Sequence, residues 1–159
     1  MNNSFWKQKA VILSLLTFLL TACFAHLKAP EINPEMAGFQ GMEWDTSLEK
    51  LNLKIKGEDK RRGLKWFFPK DKIFLANVPL NEAIYVFEKD KFIAVTGVIK
   101  GKEDCQKIKD FLVKRLGKPN QVKGDTCTWT LAYTLVLFSY NPNKQFAILI
   151  FRKKEEIKR

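Results

Sequence analysis

The stretch Glu82–Leu116, EAIYVFEKDKFIAVTGVIKGKEDCQKIKDFLVKRL, changes its hydrophobic period partway along. Before Lys89-Asp90-Lys91 stand Tyr85, Val86 and Phe87, and after it Ile93, Val95, Val98 and Ile99. β-Branched and aromatic residues on both sides of a polar triplet predict two strands, Glu82–Glu88 and Phe92–Lys100, closed into a hairpin. From Lys102 the pattern is different. Cys105, Ile108, Phe111, Leu112 and Leu116 recur at three and four residues while Lys107, Lys109, Asp110 and Lys114 fill the other side, which predicts a helix over 102–116. Gly117 ends it and Pro119 blocks its continuation. A hairpin followed by one amphipathic helix sets the fold class as α+β with a mainly antiparallel sheet.

Working outward, strands are expected over 126–132, 134–140 and 145–151, with a turn at Asn141-Pro142-Asn143-Lys144. Both alternating faces of Leu135–Phe138 and Phe146–Phe151 are apolar, which predicts strands that are central or covered on both sides. Toward the N-terminus, Leu53-Lys54-Ile55 and Leu64–Phe68 read as strands around a polar loop, Gly57–Gly63, and Ile73–Val78 reads as another strand. Thr46 and Glu49 have the spacing of a capping box, so a short helix should follow Trp44. Two halves therefore share a helix-then-strands order, one from Thr46 and one from Lys102. Their side chains are too different for a sequence repeat, which leaves structural duplication open.

Far upstream, Lys7 and Lys9 precede an apolar run, Ala10–Leu20, and then Leu20-Thr21-Ala22-Cys23. This is the layout of a secretory signal, and the run is shorter than the roughly 20 residues that a spanning helix needs. Leu20-Thr21-Ala22-Cys23 resembles the lipobox of bacterial lipoproteins. That resemblance implies cleavage before Cys23, a diacylglyceryl group on its sulfur and an N-acyl chain on its new amine. Two or three acyl chains anchor a protein firmly without spanning the bilayer. Phe24, where Asp would favour inner-membrane retention, implies the outer membrane if the cell has two. The expected organisation is a signal peptide over 1–22, a lipidated tether over 23–38, a globular domain over 39–152 and a charged tail over 153–159.

Phe39, Gly41, Met42, Trp44, Thr46 and Ser47 resemble an opening, F-x-G-(I/M)-x-W-G-T-(S/P), found in uncharacterised exported bacterial proteins, with Asp45 where glycine is commoner. Leu112, Arg115, Gly117 and Pro119 lie in a patch, Leu112–Pro119, that is similar to a helix end in the same proteins. The element order is similar to small exported modules such as BamE-like and beta-lactamase-inhibitor-like domains. These likenesses imply export and fold and carry no activity.

Loss of residues 1–22 lowers the formal charge only from +11 to +9. On an exported, tethered chain that charge points away from nucleic acid and toward anionic headgroups or acidic polymers. Lys60-Arg61-Arg62 is one basic cluster, but Glu58 and Asp59 precede it, as on a solvated face. Among Trp44, Trp66 and Trp129, Trp66 is the surface candidate because it follows Lys65 near that cluster.

Catalytic constellations are hard to assemble. The chain has one histidine, His26, and it falls in the tether, so the body holds neither a Cys–His pair nor a Ser-His-Asp triad. Neither metal-ligand spacing nor a phosphate-binding glycine loop is present. Cys105 and Cys127, the two cysteines left after Cys23 is lipidated, are expected to form a disulfide in an oxidising compartment, with two buried thiols as the other reading. The sequence thus reads as a lipid-anchored envelope protein, without cofactor, that acts as a non-catalytic binding or structural module for an envelope protein or an anionic polymer. An envelope hydrolase or a carrier of a small apolar ligand is the alternative.

Overall fold

The structure is a computed structural model and describes residues 32–51, 55–69 and 71–155. Cys23, His26 and the apolar run before them lie outside the described residues.

Among the described residues twelve strands and two helices follow one another: β1 Gly38–Phe39, β2 Met42–Glu43, α1 Leu48–Leu51, β3 Gly57–Asp59, β4 Leu64–Phe67, β5 Phe74–Leu75, β6 Val78–Pro79, β7 Glu82–Glu88, β8 Lys91–Lys100, α2 Lys102–Leu116, β9 Gln121–Lys123, β10 Thr126–Thr130, β11 Thr134–Asn141 and β12 Phe146–Lys153. Eight of the strands make one antiparallel sheet in the order β3-β4-β7-β8-β12-β11-β10-β9. The predicted α+β class is the one observed.

That order is a mirror. In the first half α1 precedes β3, β4, β7 and β8; in the second α2 precedes β9, β10, β11 and β12. Each half lays its strands side by side from edge to centre, and the last strands, β8 and β12, pair antiparallel from Phe146↔Lys100 to Arg152↔Ala94. The element order that the two halves share is therefore matched by their topology.

The core occupies one face of the sheet. Strand alternation sends Tyr85, Val95, Phe151, Val136 and Trp129 to it, and α2 lays Cys105, Ile108 and Leu112 against it. Phe39 packs on Phe151 and Tyr85, and Trp44 on Phe92, so the β1–β2 hairpin covers the remainder. A bulge in β8 helps. Val86 pairs with Ala94 but Phe87 with Phe92, so Ile93 is an extra residue, and Phe92 and Val95 both reach the core from the same strand.

Several expectations are corrected. The stretch Gly57–Gly63 is not all loop: Gly57–Asp59 is strand β3, and only residues 60–63 turn. Ile73–Val78 is not one strand but part of a miniature hairpin whose turn residues, Ala76 and Asn77, both have positive φ. The Thr46 hydroxyl does not cap α1; it donates to the Glu43 carbonyl instead. The folded body begins before Phe39, because Ile32 and Met36 are buried in the core cluster. β9 has no counterpart in the sequence reading. β11 and β12 are central, one of the two arrangements expected of them, and one side of each lies open.

Candidate functional site

The other face of the sheet lies open. Its rows follow from the registers. The middle row runs Ile84, Thr96, Ile150, Leu137, Thr128 across β7, β8, β12, β11 and β10. Trp66, Val86, Ala94, Arg152, Leu135 and Thr130 form the row on one side of it, and Glu82, Val98, Ile148, Ser139 and Thr126 the row on the other. Charge enters these three rows only at Arg152 and Glu82. The centre is therefore an apolar field bordered by a hydroxyl flank on β10, where Thr126 and Ser139 share a hydrogen bond of 2.8 Å.

Among the described residues no helix or strand packs across this field. α2 is held on the opposite face: the Cys105 Sγ donates toward the Ile99 carbonyl at 3.5 Å, and the Trp129 Nε1 donates to the Gly117 carbonyl at 2.9 Å. Strand neighbours shield most of the open-face side chains partly, and Ile148 stands out at 36% exposure. A large β-branched residue exposed at the centre of an apolar sheet face costs solvation free energy that a covering surface would recover.

The sequence-selected residues are divided by the structure. Trp66 is on the open face, half-buried, with its ring over Gly57; a Cβ at Gly57 would stand 2.6 Å from the indole. Trp44 and Trp129 are core residues. Lys60, Arg61 and Arg62 form the exposed β3–β4 turn, where Lys60 pairs with Glu58 and Arg62 with Asp59, and the Asp59 carboxylate accepts from the Arg61 and Arg62 amides. They are a solvated turn beside the field and not part of it.

Cys105 and Cys127 are buried free thiols and not a disulfide. The geometry explains the correction. Cys105 sits above β8 and β12, whereas Cys127 is on β10, two strand spacings or about 10 Å beyond β12. A bridge needs Cα atoms within about 7 Å. Burial pushes the Cys105 thiol above its ordinary pKa, which disfavours the thiolate that nucleophilic chemistry would need.

A cleft of about 620 Å³ opens at the end of the sheet among Asp45, Glu88, Lys89, Lys91, Arg152, Lys153 and Glu155. Its charges largely answer one another: Lys153 pairs with Asp45 at 2.6 Å and Arg152 with Glu155. Among the described residues no group of three or more potential metal ligands comes together, and no helix is long and apolar enough to cross a membrane. Of the comparisons with known proteins, none returned a match: no family model, no curated protein and no solved structure resembles the chain significantly.

Sequence reasoning missed Ile84, Leu137, Ile148 and Ile150 as candidate contact residues. Their signal is present as strands apolar on both faces, which suits a central position or cover on both sides and does not single out the residues that face outward.

Proposed function

We propose that the protein is a lipid-anchored envelope module, tethered through Cys23, that docks an envelope protein against the open face of its sheet. One observation carries the reading: the field around Ile150, Leu137 and Ile148 is apolar, and no described element covers it. An exposed apolar surface on this scale usually marks a partner. The five strands paired over five residues or more, β7, β8, β12, β11 and β10, stand about 4.8 Å apart and offer roughly 400 Å² over a length of about 17 Å, half of the ~800 Å² that each side of an ordinary protein interface contributes. The likeness of Leu20–Cys23 to a lipobox supports the compartment.

A photo-crosslinking residue placed at Ile148 in intact cells tests it. A discrete adduct that disappears in Leu137→Lys, with the circular dichroism spectrum unchanged, is the expected result. Adducts that form equally from Lys60 or Arg61 and survive Leu137→Lys would remove the face from consideration. The carrier alternative instead needs an enclosed cavity between α2 and the sheet, and that layer is filled by Ile108, Leu112, Ile99 and Leu149, each under 2% exposed.

A further inference from the structure

The positive charge of this chain is concentrated. Between Cys105 and Lys123 the sequence carries six basic residues and one acid, Asp110. These residues build most of α2, the turn after it and the edge strand β9. At the N-terminal end of α2 the charges are answered, since Lys107 pairs with Glu103 and Asp104. Past that point they are not. Lys114, Arg115 and Lys118 are exposed and, among the described residues, make no ion pair; the Arg115 guanidinium lies over the Phe111 ring, 5.7 Å from its centroid. The helix dipole favours cations at a C-terminal end. It does not account for what lies beside them: Val113, 38% exposed, and Val122, 61% exposed. Val122 is on the α2 side of the sheet, because it pairs with Cys127, which alternates in phase with Trp129, whose indole donates to Gly117 at the end of α2.

We propose that the C-terminal end of α2 and the β9 edge form a seat for an anionic lipid surface, with Lys114, Arg115 and Lys118 at the phosphate level and Val113 and Val122 below it. A soluble polyanion would reward the cations and gain nothing from the valines, whereas a bilayer interface accepts both. The proposal draws on the anchor at Cys23 for its geometry. Nine residue steps separate Cys23 from the buried Ile32, a span of at most about 30 Å, so an anchored domain stays within reach of the headgroups. Because α2 and the open apolar field lie on opposite faces of the sheet, a domain seated in this way turns its docking face toward the partner and away from the lipid.

The test uses the mature, acylated protein with Val113→Cys carrying a fluorophore; Cys105 and Cys127 are buried and leave the new thiol to be labelled. The protein is placed in vesicles containing phosphatidylglycerol or phosphatidylcholine alone, with nitroxide at the headgroups. Quenching in the anionic vesicles at low salt, lost in 1 M salt and absent in phosphatidylcholine, is expected. K114E/R115E/K118E should abolish it, and the milder K114Q/R115Q/K118Q should weaken it. Quenching that is equal in both vesicles, or that persists in both variants, overturns the seat. If intact mass shows no acyl group on Cys23, the anchor reading fails separately. The same labelled chain is then mixed with preformed vesicles, where each cation near the surface is worth about fivefold in affinity, and neutralising three should cost about 100-fold. Protection of the label by soluble polyphosphate, with no response to anionic vesicles, would exclude a membrane as the ligand.

Discussion

The Trp44 Nε1 donates to the Thr134 Oγ1 at 2.8 Å, joining two residues ninety positions apart in the chain. The same hydroxyl donates to the Met36 carbonyl at 2.6 Å. Thr134 is fully buried, and this one side chain holds both the β1–β2 segment and the residues before it against β11. Thr134→Val keeps the shape but leaves a buried indole N–H and a backbone carbonyl unpaired. It should cost about 2–4 kcal/mol, and Thr134→Ser, which keeps the hydroxyl, clearly less. Urea unfolding of the two variants measures the difference, and equal losses would show that the hydroxyl is incidental.

Asp45 occupies left-handed backbone, with φ of 67°. Glycine takes this conformation freely and Asp tolerates it. Asp45→Gly is expected to change stability by less than about 1 kcal/mol, since the pair it loses with Lys153 is solvent-exposed. Asp45→Val should cost about 1–2 kcal/mol more, from strain in a β-branched residue. Equal melting of the two would refute the strain.

At Gly117 the constraint is sharper. Its φ of 80° and ψ of −164° fall in a region that is essentially glycine-only, directly after the last turn of α2. Gly117→Ala should lower stability by about 1–3 kcal/mol and disturb the carbonyl that accepts from Trp129, so Trp fluorescence should shift in the folded state. An unchanged emission maximum with full stability would contradict this.

Much of this was legible beforehand, and for a common reason. Lys102–Leu116 was read to the residue because its apolar positions have one period and its ends carry Gly and Pro. The hairpin at Lys89-Asp90 was legible because the flanking strands are long; its turn residues both take positive φ, at 49° and 62°. Short elements were not. β3 is three residues, Gly57-Glu58-Asp59, too few for alternation to register, and it is strand because Trp66 and Lys65 pair with it. The extra residue Ile93 was invisible too, since a bulge leaves composition unchanged. The open face is only half legible, for a different cause. Apolar residues on both sides of a strand suit either a central position or cover on both sides, and nothing in one sequence separates the two.

Both thiols should be silent toward aqueous disulfide reagents while the protein is folded, and both should titrate in denaturant. The intact mass should be unchanged by reduction. A gain of two protons on reduction would establish the bridge that the geometry disfavours.

Tyr85 gives the fold a pH dependence on the alkaline side. Burial pushes its phenol from 10 up to about 12, and its hydroxyl donates to the Gln40 side chain. A folded pKa above the unfolded one means that the native state holds its proton longer, so the contribution is complete below about pH 10 and fades toward pH 12. Stability should fall by about 1–3 kcal/mol across that window, and the slope should be shallower in Tyr85→Phe. Unfolding midpoints in urea at pH 9 and pH 11 decide it.

The mirror order of the strands has a consequence for how such a chain could have arisen and how it could be taken apart. Its outer edges, Gly57-Glu58-Asp59 and Gln121-Val122-Lys123, are short and charged, which discourages further strands from adding on. The inner edge of each half is the reverse, a long and largely apolar strand with Ile in both halves, kept from strangers only by its counterpart. A lone half would present that edge to another copy of itself. Two such copies could meet about a two-fold axis and rebuild an eight-stranded sheet, with the seam that β8 and β12 now share serving as the interface of an ancestral dimer. Joining the two copies through Gly101 would have converted an encounter between molecules into a connection within one.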